Sequence, residues 1–392
     1  MIGVPPEARL DNTPTTFHQS DHNRRSEAVW DLRQARWDLR DDLRSITRSD
    51  RLRGCGRTRL QPGVTVRLTD GVAGYVGLLS CGRTWLCPVC AAKIAMRRGL
   101  ELAAGLGGWL NGPDLQRPVI FLTGTAQHHA GHELAPLLDA VVKAWRSSVS
   151  GKGWIDDRDR MFVAGVIRTL EVLRSQRNGW HPHIHGVMPC GAGVTVDQVE
   201  DFGRRFFRRW NSALERAGYT SLPIAQKIEL IEPGDDKSAL SLGRYLSKLP
   251  ETRSTADTLG YELTGSQNKA GRSHGRTQWE LATSAAAGNS RDGVLWREFE
   301  AATHNRRQMT WSPGLRDLLA LGVEQTDQEI ADEVLGTEDD AVVFITPDGW
   351  SEIVRLRIGH TLLRVLEQSY SQFLRALDGL GIDHVQIRRH DS

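Results

Sequence analysis

The spacing of apolar positions changes along this chain, and each change of period predicts an element. "RPVIFLTGT" (117–125) is an almost unbroken apolar run ending in small and hydroxyl residues, as expected of a buried strand. In "HELAPLLDAVVKAWRSSV", Leu134, Leu137, Leu138, Val141, Val142 and Trp145 recur at helical spacing. "MFVAGVIRTLEVL" predicts a long strand, "RNG" a turn and "WHPHIHGVM" the returning strand. A second helix is expected over roughly 196–217, with Val199, Phe202, Phe206 and Trp210 as its buried stripe. "IAQKIELI" reads as a further strand and "SALSLGRYLSKL" as a short helix stopped by Pro250. The order strand, helix, strand, strand, helix, strand, helix predicts an α+β protein. Its antiparallel sheet would have a split βαβ, ferredoxin-like arrangement, with helices over one face.

The flanks have a different texture. Residues 1–50 read as a tail followed by a charged helix, and 51–112 as a cysteine-rich module with short strands "VTVRLTD" and "YVGLL". The central elements fill 113–265, a mainly helical extension 266–340, and a small α/β segment 341–392. That last segment reads strand, strand, helix, strand.

Composition narrows the class. With 392 residues, 39% hydrophobic and 25% charged, the chain has enough apolar content for a sizeable core. No apolar run approaches the length of a membrane span. "MIGVPPEARLDNTPTTFHQSD" lacks the basic start and apolar centre of a secretory signal, so a cytoplasmic location is expected. The net charge of +2 says little, but arginine is concentrated beside tryptophan and phenylalanine in 23–59 and in "GRRFFRRWN". Such mixtures suit phosphate contacts and base stacking, or else solvated helix faces with paired acids.

Candidate chemistry begins at "GWHPHIHGVM" (179–188), which places His181, His183 and His185 in five positions. Alternate residues of a strand share a face, so the three imidazoles lie together. Imidazole with carboxylate suits Mn²⁺, or Mg²⁺ less comfortably. Glu171, the one acid on the facing strand, is the natural third ligand. A two-residue Asn178-Gly179 turn would point it away; a three-residue loop 177–179, with Gly179 left-handed, would set Glu171 opposite His185. Pro182 implies a bulge or an edge. His181 is left as an outer contact or alternative ligand.

Two other constellations stand out. Tyr245 lies in "GRYLSK" with Arg244 beside it and Lys248 one helical turn on, cations that favour phenolate and neutralise phosphate. On the helix alone, Tyr245 is equally an amphipathic residue with its hydroxyl in water. Cys55, Cys81, Cys87 and Cys90 supply four thiolates, enough for structural Zn²⁺, whereas Cys190 stands apart as a packed thiol. His128 and His129 follow the first strand and are within possible reach of the histidines.

"FLTGT", "NGWHPHIHGV" and "GRYLSK", in that order, resemble the three motifs of plasmid rolling-circle replication initiators, the HUH endonucleases. "GVAGYVGLLSCGRTWLCPVCAAKI" and "LWREFEAATHNRRQMTWSPGLRDLL" resemble the flanking segments of actinobacterial initiators, so the resemblance covers about residues 50–335. It implies a divalent ion at His183 and His185 completed by Glu171. It implies that Tyr245 attacks single-stranded plasmid origin DNA, leaving a 5′-phosphotyrosine and a 3′ hydroxyl primer. Some relatives carry a glutamate where Ser241 stands here, which puts the terminating hydrolysis in doubt; Tyr261 is too far along to share the helix. No GxxxxGK[ST] loop occurs, so unwinding is expected to need a host helicase. The alternatives are a conjugative relaxase or single-strand transposase, a metal-dependent hydrolase using water, and a zinc-containing DNA-binding regulator with structural histidines.

Overall fold

The computed structural model describes residues 17–112, 117–233 and 275–387. The chain begins with a long helix α1 (Phe17–Leu43) and a short α2 (Asp50–Gly54), followed by a hairpin β1 (Val64–Thr69) and β2 (Val72–Val76). Helix α3 (Pro88–Asn111) leads to β3 (Val119–Thr125), α4 (Leu134–Ser148) and α5 (Gly151–Arg160). Then come β4 (Ile167–Ser175), β5 (Gly179–Pro189), α6 (Val196–Glu215) and β6 (Lys227–Ile231). After the undescribed stretch stand β7 (Gly275–Arg276), α7 (Gln278–Ala286), α8 (Ser290–Thr303), β8 (Met309–Trp311), α9 (Leu315–Leu318) and α10 (Asp327–Asp332). The last elements are β9 (Ala341–Ile345), α11 (Pro347–Leu356), α12 (Gly359–Gln368), α13 (Tyr370–Gly379) and β10 (His384–Gln386). The protein is thus mixed α/β, and every strand pair is antiparallel.

The larger sheet has the order β6-β3-β5-β4-β7, with β8 also on β4. Strands β3 and β4 flank β5, and β5 and β6 flank β3, so each helical connection skips one strand. One face packs under α4 and α6, where Ile120, Leu122, Leu170, Ile184 and Met188 meet Trp145, Phe202, Phe206 and Trp210. Gly186 admits Trp145 to this face: a Cβ there would come within 2.4 Å of its ring. On the opposite face Val119, Phe121, Ile167 and Val187 pack on Leu102, Leu106 and Trp109 of α3 and Leu315 of α9.

Strands from the cysteine-rich stretch and from the C-terminal stretch pair with each other. The smaller sheet has the order β10-β9-β1-β2, and its core joins Val64 and Val66 to Val343, Ile345, Trp350, Leu363 and Phe373. In 341–392 the second expected strand is instead α11. Thr346 caps it by accepting the Gly349 N–H, and Pro347 takes the first helical position, where its missing N–H costs nothing. A buried carboxylate ties the two ends of the chain together. Glu300 of α8 accepts from Thr47 Oγ1 at 2.5 Å and from the backbone N–H groups of Arg48 and Ser49.

The arginine-aromatic stretch of α6 is a core element. Phe206 and Trp210 are fully buried, while Arg205 and Arg209 bind Asp157 of α5, itself 1% exposed, at 2.7 and 2.8 Å. These four side chains of α6 are engaged within the fold, whereas Arg204 and Arg208 of the same stretch are exposed. Arg33 of α1 pairs with Glu367 and Arg44, just past its end, with Asp41, while Arg36 and Arg40 are buried, so acids are paired there but the face is not a solvated one.

Candidate metal sites and their neighbours

The β4–β5 hairpin builds the first site. Its loop is three residues long, as the shared face requires, but spans 176–178 rather than 177–179: Ser175 pairs with Gly179. The Asn178 N–H donates to Ser175 Oγ at 2.8 Å and closes the loop one residue early. Gly179 has φ +77°, and a Cβ on it would meet Ala130 Cα at 2.8 Å, so both conformation and space demand glycine. The register is therefore two residues from the expected one. Glu171 lies opposite His183, and Thr169 opposite His185. A two-residue shift keeps every side chain on its face. Pro182 lies beyond the last β3–β5 pair, Thr125 with His183, so β5 has lost one neighbour there, an edge in effect.

Glu171 Oε2 lies 2.7 Å from His183 Nε2 and 3.4 Å from His185 Nε2. These three ligand atoms all lie within 4.8 Å of one another, a separation suited to a single ion. Thr123 Oγ1 contacts His185 Nδ1 at 2.9 Å and Phe121 stacks on the same ring, which aims Nε2 at the carboxylate. Thr169 Oγ1 is buried beside this group with no hydrogen-bond partner among the described residues, so a ligand oxygen there would find a use for it. Two imidazoles and one carboxylate on one sheet face could hold a divalent ion.

His181 continues the row, its ring 5.0 Å from that of His183. Burial, with His183 and His128 nearby, pushes its pKa down to about 3, so it stays neutral. His128 does approach the site: its Nδ1 is 3.4 Å from His181 Nδ1. His129 instead lies on His132, with ring centres 3.7 Å apart, on the surface. Tyr245, Arg244 and Lys248, together with Ser241 and Tyr261, lie outside the described residues.

The four clustered cysteines come from three places. Cys55 follows α2, Cys81 lies in the loop after β2, and Cys87 and Cys90 open α3, with Cys87 as its N-cap. All four are buried, and none forms a disulfide. The sulfurs of Cys55 are 3.8 Å from Cys87 and 3.6 Å from Cys90, and Cys81 is 3.7 Å from Cys90. A tetrahedron with Zn–S bonds of about 2.3 Å has edges of about 3.8 Å, so the cluster could bind zinc. Hydrogen bonds from the other three thiols, and then the Arg40 charge, hold the Cys55 pKa well below its usual value. Arg40 is 3% exposed and lies 4.3 Å over Trp37, well placed to offset thiolate charge. Cys190 is a packed thiol bonded to the Pro118 carbonyl, its pKa pushed up to about 12 by burial.

Sequence reasoning overlooked Thr123 and Thr169. The hydroxyl ending of "FLTGT" was visible, but its partner is set by the β3–β5 register. The arginines around Cys81 escaped notice too, because they meet only in space.

The structure thus defines a mixed α/β protein with two separate clusters of metal-ligating side chains among the described residues. The chain belongs to the replication protein family, whose model matches residues 79–344. It is 28% identical to "Protein rep" of Streptomyces lividans, over 78% of this chain and 79% of that one. A shorter match, 32% identical over 35% of this chain and 36% of the relative, is to a "Neomycin resistance protein" of Streptomyces cyanogenus. No solved structure matches. The family and the Streptomyces lividans relative together make this a plasmid replication initiator of actinobacterial type. Among the described residues no helix is long and apolar enough to cross a membrane.

Proposed function

We propose that the chain starts rolling-circle replication as an HUH endonuclease, cutting single-stranded origin DNA with Tyr245 and rejoining it at termination. The observation that carries this reading is Glu171 Oε2 lying 2.7 and 3.4 Å from the Nε2 atoms of His183 and His185 on one face of the sheet. The order β6-β3-β5-β4 supports it as well, being that of a split βαβ, ferredoxin-like core.

In this reading Glu171, His183 and His185 hold the ion, and Thr123 and Phe121 fix the His185 ring. An ion held there supplies positive charge at the non-bridging phosphate oxygens. Tyr245 Oη forms a bond to phosphorus and the P–O3′ bond breaks. The tyrosine proton passes to solvent, and the departing 3′ oxygen takes one up as hydroxyl. Arg244 and Lys248 favour the phenolate and balance charge on the phosphate. The phosphotyrosine ester keeps a bond of similar energy, so the strand can be resealed. The four cysteines hold a structural Zn²⁺, unwinding falls to a host helicase, and the protein works in the cytoplasm.

The test is a labelled single-stranded oligonucleotide spanning the origin of the chain's own replicon, incubated with Mn²⁺, Mg²⁺ or chelator. The proposal expects metal-dependent cleavage with a protein-linked product on a denaturing gel, abolished in Tyr245→Phe and His183→Ala. Cleavage without adduct would point to water as nucleophile. Binding without cleavage, on supercoiled origin plasmid too, would make the protein a regulator.

A further inference from the structure

A row of residues crosses this face of the sheet: Thr123 of β3, His185 of β5, Thr169 of β4 and Met309 of β8 are successive cross-strand partners, with His185 and Thr169 buried. Two strand spacings, about 10 Å, separate His185 from Met309. Met309 in turn lines a cleft of about 440 Å³ whose other wall is the loop carrying Cys81 and Arg83. The cleft is rich in arginine. Arg51, Arg83, Arg98 and Arg307 line it, against the two carboxylates Glu324 and Asp327.

Those charges are not equally available. Arg98 lies 3.6 Å from Glu324 and 3.5 Å from Asp327, and so engages both acids. Arg51 donates to Gln328 Oε1 and the Ser80 carbonyl. Arg83 Nε is buried without a hydrogen-bond partner, and Arg307 faces Asp327 through charge alone, with no ion pair as close as those of Arg98. A buried guanidinium nitrogen in an electropositive cleft calls for an anionic oxygen. A second recess, of about 200 Å³, also has Arg83 and Arg307 in its lining, so the pair stands between two openings.

We infer that Arg83 and Arg307 form a phosphate clamp for the backbone of single-stranded DNA, holding the strand that continues from the Glu171–His183–His185 site. The inference rests on the proposed nuclease site for its direction, and it gives the cysteine module a second use. By fixing Cys81, the thiol cluster fixes the loop that presents Arg83. Single-stranded rather than duplex DNA is the occupant because the cleft lined by Met309 begins two strand spacings, about 10 Å, from the site proposed to cut a single strand.

The experiment measures binding of a fluorescent single-stranded origin oligonucleotide by anisotropy, in chelator of low zinc affinity, at several salt concentrations. The protein is the full chain, Arg83→Gln/Arg307→Gln, or Arg204→Gln as a control on exposed α6. Loss of two phosphate contacts should weaken binding and make the log K against log salt slope shallower by about 1.4, at ~0.7 per contact on single strands. Arg204→Gln should leave the slope unchanged. Zinc content and circular dichroism of the double variant should match the parent chain. An unchanged slope in a folded double variant overturns the clamp, as does a parent chain that does not bind the single strand. If the clamp variant loses binding while the parent chain never cleaves, the clamp stands and the nuclease reading fails.

Discussion

Glu171 is the acidic member of the proposed metal site. Its carboxylate lies within 3.4 Å of both imidazoles, on the same face as the unpartnered Thr169 hydroxyl. Glu171→Gln keeps the shape and removes the charge. Loss of an outer partner of a metal ligand already costs ~10–100-fold in affinity, so loss of a direct ligand should cost at least that. Titration calorimetry with Mn²⁺ checks it, and zinc content should not change because the thiols form a separate cluster. Which side chains share this face was legible in the sequence, because the period of a strand is two and any even slip preserves it. The partner of each was not. Asn178-Gly179 advertises a turn, yet Ser175 closes the loop by accepting the Asn178 N–H, an interaction no periodicity reports.

Elements carry the next level. Helix α6 was correctly read as amphipathic from Val199, Phe202, Phe206 and Trp210, all of them buried. Two of its arginines, Arg205 and Arg209, bind Asp157 on another helix some fifty positions earlier, a partner that the local pattern does not reveal. The glycine in the histidine strand has a plain structural reason: Gly186 lets Trp145 of α4 rest on β5. Gly186→Ala forces that ring away or shifts the strand, and overpacking of this kind costs about 1–3 kcal/mol. Denaturant unfolding should show the loss as a lower midpoint with an unchanged slope. An unchanged midpoint would mean that α4 is less tightly applied to the sheet than its Trp145 contact indicates.

At the scale of the molecule, the N-terminal and C-terminal stretches complete each other. β9 lies between β1 and β10, and Glu300 holds the α1–α2 junction, so neither end packs alone. Pairings between positions so distant in sequence leave no local signature, which is why the cysteine-rich and C-terminal stretches read as separate units. Ending the chain at residue 340 removes β9 and the helices that bury Val64 and Val66. The truncated protein should express poorly or lose zinc, whereas a C-terminal stretch that were merely appended would leave solubility and zinc content intact. Covalent attachment of Tyr245 to the 5′ phosphate is the proposed step that separates this chemistry from hydrolysis by water. The most direct measurement is peptide mass spectrometry of the protein after reaction with its origin oligonucleotide and nuclease trimming. A nucleotide mass on the peptide containing Tyr245 is the predicted result. Cleaved DNA with every tyrosine peptide unmodified would contradict the account.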